Sequence, residues 1–153
     1  MVKSIRLKMP GSWASYGAAL WALSFSVIHV LWATGWYVGL NEEAARKAFQ
    51  QRWFLVYDLV AAVSCALGVA VALALVQPWG RRLPRWLVGI LAWSGTGLLV
   101  LRGGAGMAQS VYVAATEKNV WAVFEFWEIW FCVGAVLFGL ATWKFWRLSR
   151  PGI

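Results

Sequence analysis

Four long apolar segments dominate the sequence and decide the class of protein. They cover residues 13–40, 53–76, 86–108 and 120–143. A helix needs about 20 apolar residues to cross the hydrocarbon core of a bilayer, and each segment is at least that long. A helix also satisfies its own backbone hydrogen bonds, which lipid cannot do. The sequence therefore predicts an all-α integral membrane protein, a four-transmembrane-helix bundle that forms a single domain over residues 1–153.

The composition supports this prediction and narrows the partners. Hydrophobic residues make up 61% of the chain and charged residues 13%, with a formal net charge of +8. Positive charge on so apolar a chain indicates contact with membrane lipid, and we expect no nucleic acid partner because no basic helix or aromatic-basic module is present. Cys65 and Cys132 lie apart in apolar segments, so the sequence predicts no metal site and no cofactor.

The distribution of Lys and Arg predicts the orientation. Nine of the 14 basic residues lie near the ends of the chain and in the link between the second and third segments. The positive-inside rule places these regions, and hence both termini, in the cytoplasm. We expect a multi-pass protein of the plasma membrane. All six Asp and Glu residues fall on the opposite, outer side.

Several ionisable residues lie inside the predicted spans, where charge is costly and indicates function. Glu125 and Glu128 share one helix face because they are three residues apart. From the rise of about 1.5 Å per residue, Asp58 and Arg102 lie at a similar depth in the outer third of the core, with His29 near the midplane. We expect Arg102 to pair with Asp58 or with the Glu125/Glu128 face, since paired buried ions cost less than single ones.

Tryptophan is the second unusual feature. The 13 Trp residues exceed what two interfacial belts require, so some are expected to line the interior of the bundle. Trp32 and Trp36 share a helix face with His29, and Trp127 and Trp130 flank Glu128. These four indoles are predicted to wall an outward-facing polar pocket.

Three stretches of the sequence resemble one of the uncharacterised, domain-of-unknown-function families of small four-span bacterial membrane proteins. They are His29-x-x-Trp32-Ala33-x-Gly35 with Gly39-Leu40 following, the link from Val76 to Trp86 with its Pro78-Trp79-Gly80-Arg81-Arg82 core, and the closing run from Trp130 to Ala141. The resemblance implies a four-helix membrane bundle and carries no activity with it.

The residues leave three functions open. In the first, the pocket binds or transports a small cationic or amphiphilic ligand, because carboxylates and aromatic faces attract cations. The ligand-binding residues would be Glu125, Arg102, Trp32, Trp36, Trp127 and Trp130.

The second function is a membrane-embedded enzyme of the isomerase or cyclase type, acting on a lipid or isoprenoid. Glu128 would be the general acid, and His29 or Asp58 the base. The third is a structural or accessory role, in which the charged layer holds the helices of a homo-oligomer or of a larger membrane complex in register. Glu128 is either a proton-exchanging acid or a fixed anion beside Arg102.

Overall fold

A computed structural model describes residues 12–117 and 126–149, and these residues form five α-helices and one short 3₁₀ helix. Four of the helices are long and apolar enough to cross a membrane, as the sequence predicts. The elements in chain order are α1 (Ser12–Ala33), α2 (Glu42–Phe49), α3 (Arg52–Ala74), the 3₁₀ helix Pro78–Arg82, α4 (Arg85–Glu117) and α5 (Phe126–Ser149). Residues 120–125 of the fourth predicted span lie outside the described residues.

Helix α1 ends at Ala33, seven residues before the predicted end at Leu40. The Gly35 N–H donates to the Trp32 carbonyl at 2.9 Å, and the Trp36 N–H donates to the Leu31 carbonyl at 2.9 Å. With Gly35 at φ 93°, this is a Schellman motif, which ends a helix at a left-handed glycine. His29 consequently lies about 6 Å from the end of α1 rather than near the midplane, as the longer span suggested.

A short helix, α2, separates α1 from α3 and was not predicted. The Asn41 side chain accepts a hydrogen bond from the Ala44 N–H at 3.0 Å and caps its first turn. Glu42 begins the helix and pairs with Arg46 at 2.8 Å. An Asn followed by acids and then bases is a typical signal for a short capped helix.

Helix α4 runs for 33 residues, so it is about 50 Å long and exceeds a hydrocarbon core of about 30 Å. The predicted span ended near Ala108, where the apolar run ends. The glycines and alanines after Arg102 do not end the helix, and α4 continues through them to Glu117. The 3₁₀ helix and Pro84 separate α4 from α3.

The bundle is organised around α1, which packs mainly against α3 and α5, while α4 packs mainly against α5. The core combines small residues with large rings, including Ala18, Ala22, Trp21 and Phe138. Trp21 Nε1 donates to the Trp130 carbonyl at 2.9 Å, which joins α1 to α5. Ser26 Oγ donates to the Ala62 carbonyl at 2.9 Å, which joins α1 to α3.

Large apolar side chains cover the outer surface of the spans. On α3 they include Val56, Leu59, Val60, Val63 and Leu67, each exposed by between 46 and 63%. A surface of this kind suits lipid, because a helix in a bilayer has no polar solvent to face. The interior is thus where the few polar side chains of the spans find partners.

Candidate functional site

The most deeply buried ionisable pair joins α1 to α3. His29 Nδ1 lies 2.6 Å from Asp58 Oδ1, and the residues are 7% and 2% exposed. The pair forms because the Schellman turn ends α1 early, which brings His29 to the level of Asp58, about 9 Å from the start of α3. Of the two partners that the sequence leaves open for Arg102, Asp58 is thus not the one that the structure gives. Asp58 pairs with His29.

Two polar atoms of this pair have no partner among the described residues. Asp58 Oδ2 is buried and accepts no hydrogen bond there. His29 forms its one hydrogen bond through Nδ1, which leaves Nε2 without a partner in the same part of the chain. Buried polar atoms are normally satisfied, so the buried Asp58 Oδ2 requires an explanation. A carboxylate that holds one imidazole nitrogen and leaves the other free is the arrangement of acid–base and metal-binding histidines.

The second pair joins α4 to α5. Arg102 Nη1 donates to Glu128 Oε2 at 2.8 Å, and the side chains are 48% and 10% exposed. The guanidinium also lies over the Phe131 ring, 4.5 Å from its centroid. Of the partners expected for Arg102, the structure gives Glu128. Glu125 lies outside the described residues.

A glycine makes room for the carboxylate of Glu128. Gly106 lies one turn after Arg102 on α4, and a Cβ at this position would overlap the Glu128 carboxyl group. Gly103, one turn earlier on the same face, has Cys132 and Phe131 atoms at 3.3 Å from the position of its missing Cβ. Small residues let helices approach closely, and here they place a charged group directly against the backbone of α4.

Aromatic rings connect the two pairs. The His29 ring lies 4.8 Å from Phe25 and 4.9 Å from Trp32, centroid to centroid. Trp32 lies 5.2 Å from Trp127, and Phe25 lies 5.1 Å from Phe131, the ring beneath Arg102. These rings of α1 and α5 fill the space that leads from His29 to the Arg102–Glu128 pair.

The segment 34–41 is hydrogen-bonded to this aromatic group. Trp32 Nε1 donates to the Val38 carbonyl at 2.9 Å, and Trp127 Nε1 donates to the Gly39 carbonyl at 3.2 Å. Gly39 has φ 75°, and a Cβ there would lie 2.9 Å from Trp127 Cζ2. Only glycine combines this backbone conformation with this contact. The same indoles that flank the site thus hold the segment beside it.

The predicted site residues that the structure describes fall into four groups. His29, Asp58, Arg102 and Glu128 form the two pairs, and Trp32 and Trp127 are the indoles between them. Trp130 stacks on Trp21 at 6.2 Å, so it belongs to the core beside the site. Trp36 is 69% exposed and does not share the interior face with Trp32, because the chain turns at Gly35 before reaching it.

A comparison with protein families matches the chain to one family, and the matched region includes both ion pairs. The family is described as "Protein of unknown function (DUF3995)", and the match covers residues 22–141. The chain belongs to this family. The match includes the three stretches between His29 and Ala141 that carry the resemblance. The pattern His29-x-x-Trp32-Ala33-x-Gly35 as a signature of the family stays a prediction. Neither a curated protein nor a solved structure matches the chain.

Sequence reasoning missed Gly106 and Phe25 as parts of the site in this DUF3995 member. A glycine four residues after an arginine within a predicted span is a signal that could have identified Gly106, because these positions share a helix face. Phe25 lies four residues before His29. Within the described ranges, no group of three or more His, Cys, Asp or Glu side chains forms a metal site.

Proposed function

We propose that this protein binds a small lipophilic cation at the His29–Asp58 pair in exchange for a proton carried by His29. The observation that supports the proposal is the 2.6 Å contact between two buried ionisable side chains, one of which has an oxygen with no partner in the described chain. The proposal also places the protein in the plasma membrane, with the pair toward the outer side, on the basis of the Lys and Arg distribution.

The charge of the pair depends on one proton. With His29 protonated and Asp58 ionised the pair is neutral, and with His29 neutral its net charge is −1. Imidazole exists in a protonated and a neutral form, so it can carry the exchanged proton. An unpaired negative charge in an apolar surrounding attracts a cation strongly, because the effective dielectric constant is low. The cation and the proton therefore compete for one site.

The second ion pair supports this assignment. Its net charge is fixed, so the His29–Asp58 pair is the one whose net charge can change. Arg102 and Glu128 neutralise one another at 2.8 Å. A cation at Glu128 would have to displace a guanidinium that is also seated on the Phe131 ring. Within the described ranges, Asp58 pairs with His29 and not with an arginine or lysine.

The aromatic side chains supply the apolar part of the binding site. Phe25 and Trp32 border His29 within 4.8 and 4.9 Å, and ring faces attract cations as well as apolar groups. Because Asp58 is only 2% exposed, a ligand needs a rearrangement to reach it. We propose that the segment 34–41 moves, since it lies beside Trp32 and contains two glycines with positive φ.

The experiment is a calorimetric titration of the detergent-solubilised protein with tetraphenylphosphonium, in buffers of different ionisation enthalpy. Binding should release up to one proton, and it should weaken as the pH is lowered, by up to about tenfold per pH unit, because the proton and the cation compete. Asp58→Asn should abolish binding. His29→Gln should retain binding but lose both the proton release and the pH dependence.

Glu42→Gln provides the control, because Glu42 is an acid of the exposed helix α2, with a side chain that is 73% exposed. It should bind as the wild type does. Equal binding by the wild type and Asp58→Asn, or unchanged proton release in His29→Gln, would contradict the proposal.

The free Nε2 of His29 favours one alternative, an enzyme acting on a lipid or isoprenoid. Asp58 would orient the imidazole, and Nε2 would remove a proton from the substrate, as an oriented histidine does in general base catalysis. Glu128 is less suited to be the acid, since it is already bound to Arg102. Turnover of membrane lipid that is lost in both His29→Gln and Asp58→Asn would support this alternative over cation exchange.

A further inference from the structure

The Arg102 guanidinium offers hydrogen-bond donors to the membrane that Glu128 does not use. A guanidinium carries five N–H donors. One of them, on Nη1, reaches Glu128, and the described residues supply no further hydrogen bond to this side chain. The side chain is 48% exposed although it lies on a membrane-spanning helix. Unsatisfied donors in hydrocarbon are costly, so a partner from beyond the described residues is required.

The depth of Arg102 indicates where that partner comes from. Arg102 lies 17 residues after the start of α4 at Arg85, or about 26 Å along a helix that crosses a core of about 30 Å. A side chain as long as arginine reaches from this position to the lipid headgroups, as basic residues near the ends of spans do. The groups at that level with the most acceptor oxygens are lipid phosphates.

The geometry of Arg102 is fixed before any lipid arrives. Glu128 holds one edge of the guanidinium, and Phe131 lies under its face at 4.5 Å. Gly106 in turn seats the Glu128 carboxylate against α4. A planar guanidinium held in this way presents its remaining edge for two parallel hydrogen bonds to phosphate, a geometry that a lysine cannot provide.

The neighbouring surface of α4 suits an acyl chain. Leu98 lies one turn before Arg102 and is 69% exposed, and Ala105 follows at three residues, also exposed. An amphiphile whose phosphate binds Arg102 would lay its hydrocarbon along this apolar surface. Free phosphate would gain nothing from it.

We propose that Arg102, oriented by Glu128 and Phe131, is a binding site for the phosphate group of a membrane phospholipid. This site is distinct from the His29–Asp58 pair and does not depend on the function proposed for that pair. Glu128 lowers the net charge of the site, which favours a phosphodiester with one negative charge over a more highly charged free anion.

The test is native mass spectrometry of the detergent-solubilised full chain with added phosphatidylglycerol, diacylglycerol of the same acyl chains, or inorganic phosphate. The wild type should retain one phosphatidylglycerol molecule in preference to diacylglycerol. Arg102→Gln should bind it about tenfold more weakly, and Arg102→Lys should bind with intermediate affinity, because its single ammonium keeps the charge but not the paired donors.

Arg46→Gln is the matched control. Arg46 also forms a 2.8 Å ion pair, with Glu42, but on the exposed helix α2 and with its side chain 65% exposed. Its loss should leave lipid retention unchanged. The comparison of the two lipids on the wild type keeps the proposal testable if Arg102→Gln does not fold. Equal retention of phosphatidylglycerol and diacylglycerol by the wild type, unchanged retention in Arg102→Gln, or binding of inorganic phosphate without phospholipid would overturn it.

Discussion

The two ion pairs of the bundle are built on opposite principles. His29 and Asp58 are both buried, and the carboxylate keeps one oxygen without a partner in the described chain. Arg102 and Glu128 combine a half-exposed guanidinium with a buried carboxylate seated on a glycine. The first pair can change its net charge by one proton without changing partners. The second pair is a fixed neutral unit whose free donors face the membrane. Charged residues in spans therefore do not all indicate the same role.

Asp58→Leu should produce the largest loss of stability in this comparison. The substitution leaves the buried imidazole without its partner, and removing one member of a buried pair costs about 3–5 kcal/mol. The double variant His29→Leu/Asp58→Leu should recover much of that loss. Unfolding in mixed micelles of a nonionic detergent and dodecyl sulfate measures the free energy. If the double variant is no more stable than the single one, the buried pair is not the source of the effect.

Arg102→Leu should cost less, about 1–3 kcal/mol, because the arginine is half exposed while the Glu128 left behind is buried. Adding Glu128→Leu should restore stability, whereas adding Asp58→Leu should add its own separate loss. We expect this because the His29–Asp58 pair joins α1 to α3 and the Arg102–Glu128 pair joins α4 to α5, so the two losses are independent. Recovery with Asp58→Leu instead would show that the pairs exchange partners.

Gly106→Ala should cost about 1–3 kcal/mol, the usual range for overpacking, because its Cβ overlaps the Glu128 carboxyl group. Gly104→Ala is the matched control two residues away, where nothing lies within 4 Å of the added Cβ. This control should be neutral or slightly stabilising. The same unfolding measurement compares the free energies of the two variants. Equal losses at the two glycines would show that Gly106 does not provide specific space for the Glu128 carboxyl group.

The smallest effect concerns the indoles. Trp32→Phe removes one hydrogen bond to the Val38 carbonyl and should cost about 1 kcal/mol. Trp36→Phe should change almost nothing, since Trp36 is 69% exposed and its indole lies away from the site. Hydrogen exchange of the 34–41 amides should rise in Trp32→Phe and not in Trp36→Phe. A rise in both variants would mean that the segment is not held by Trp32.

The four spans could be predicted because membrane crossing depends on length and apolar content, which the sequence states directly. The pairing of the charged side chains was harder to predict, because their depths are estimated from the positions of the helix ends. Extending α1 to Leu40 placed His29 about 10 Å too deep, since seven residues at about 1.5 Å each separate the two ends. The apolar run continues through Trp36, Tyr37 and Val38, so hydropathy hides the turn that Gly35 makes.

Arg102 was easier to place, because the predicted start of its span at Trp86 lies one residue from the start of α4. The predicted start of the span that contains Glu128 lies outside the described residues. The seat at Gly106 was not predictable from hydropathy, which cannot distinguish a glycine that faces lipid, such as Gly104, from one that lies under a carboxylate. That distinction requires the rotation of α4 against α5, and rotation is set by packing.

The central claim is that Asp58 holds the Nδ1–H of His29 and leaves Nε2 free to exchange a proton. His29 is the only histidine in the sequence, so ¹⁵N-histidine labelling of a protein without a histidine tag gives the resonances of one imidazole. The ring nitrogen shifts, followed against pH, report which nitrogen carries the proton. We predict that the neutral ring carries its proton on Nδ1, facing Asp58, and that Asp58→Asn shifts the population toward the Nε2–H tautomer. An Nε2–H tautomer with unprotonated Nδ1, or identical spectra in Asp58→Asn, would contradict the account.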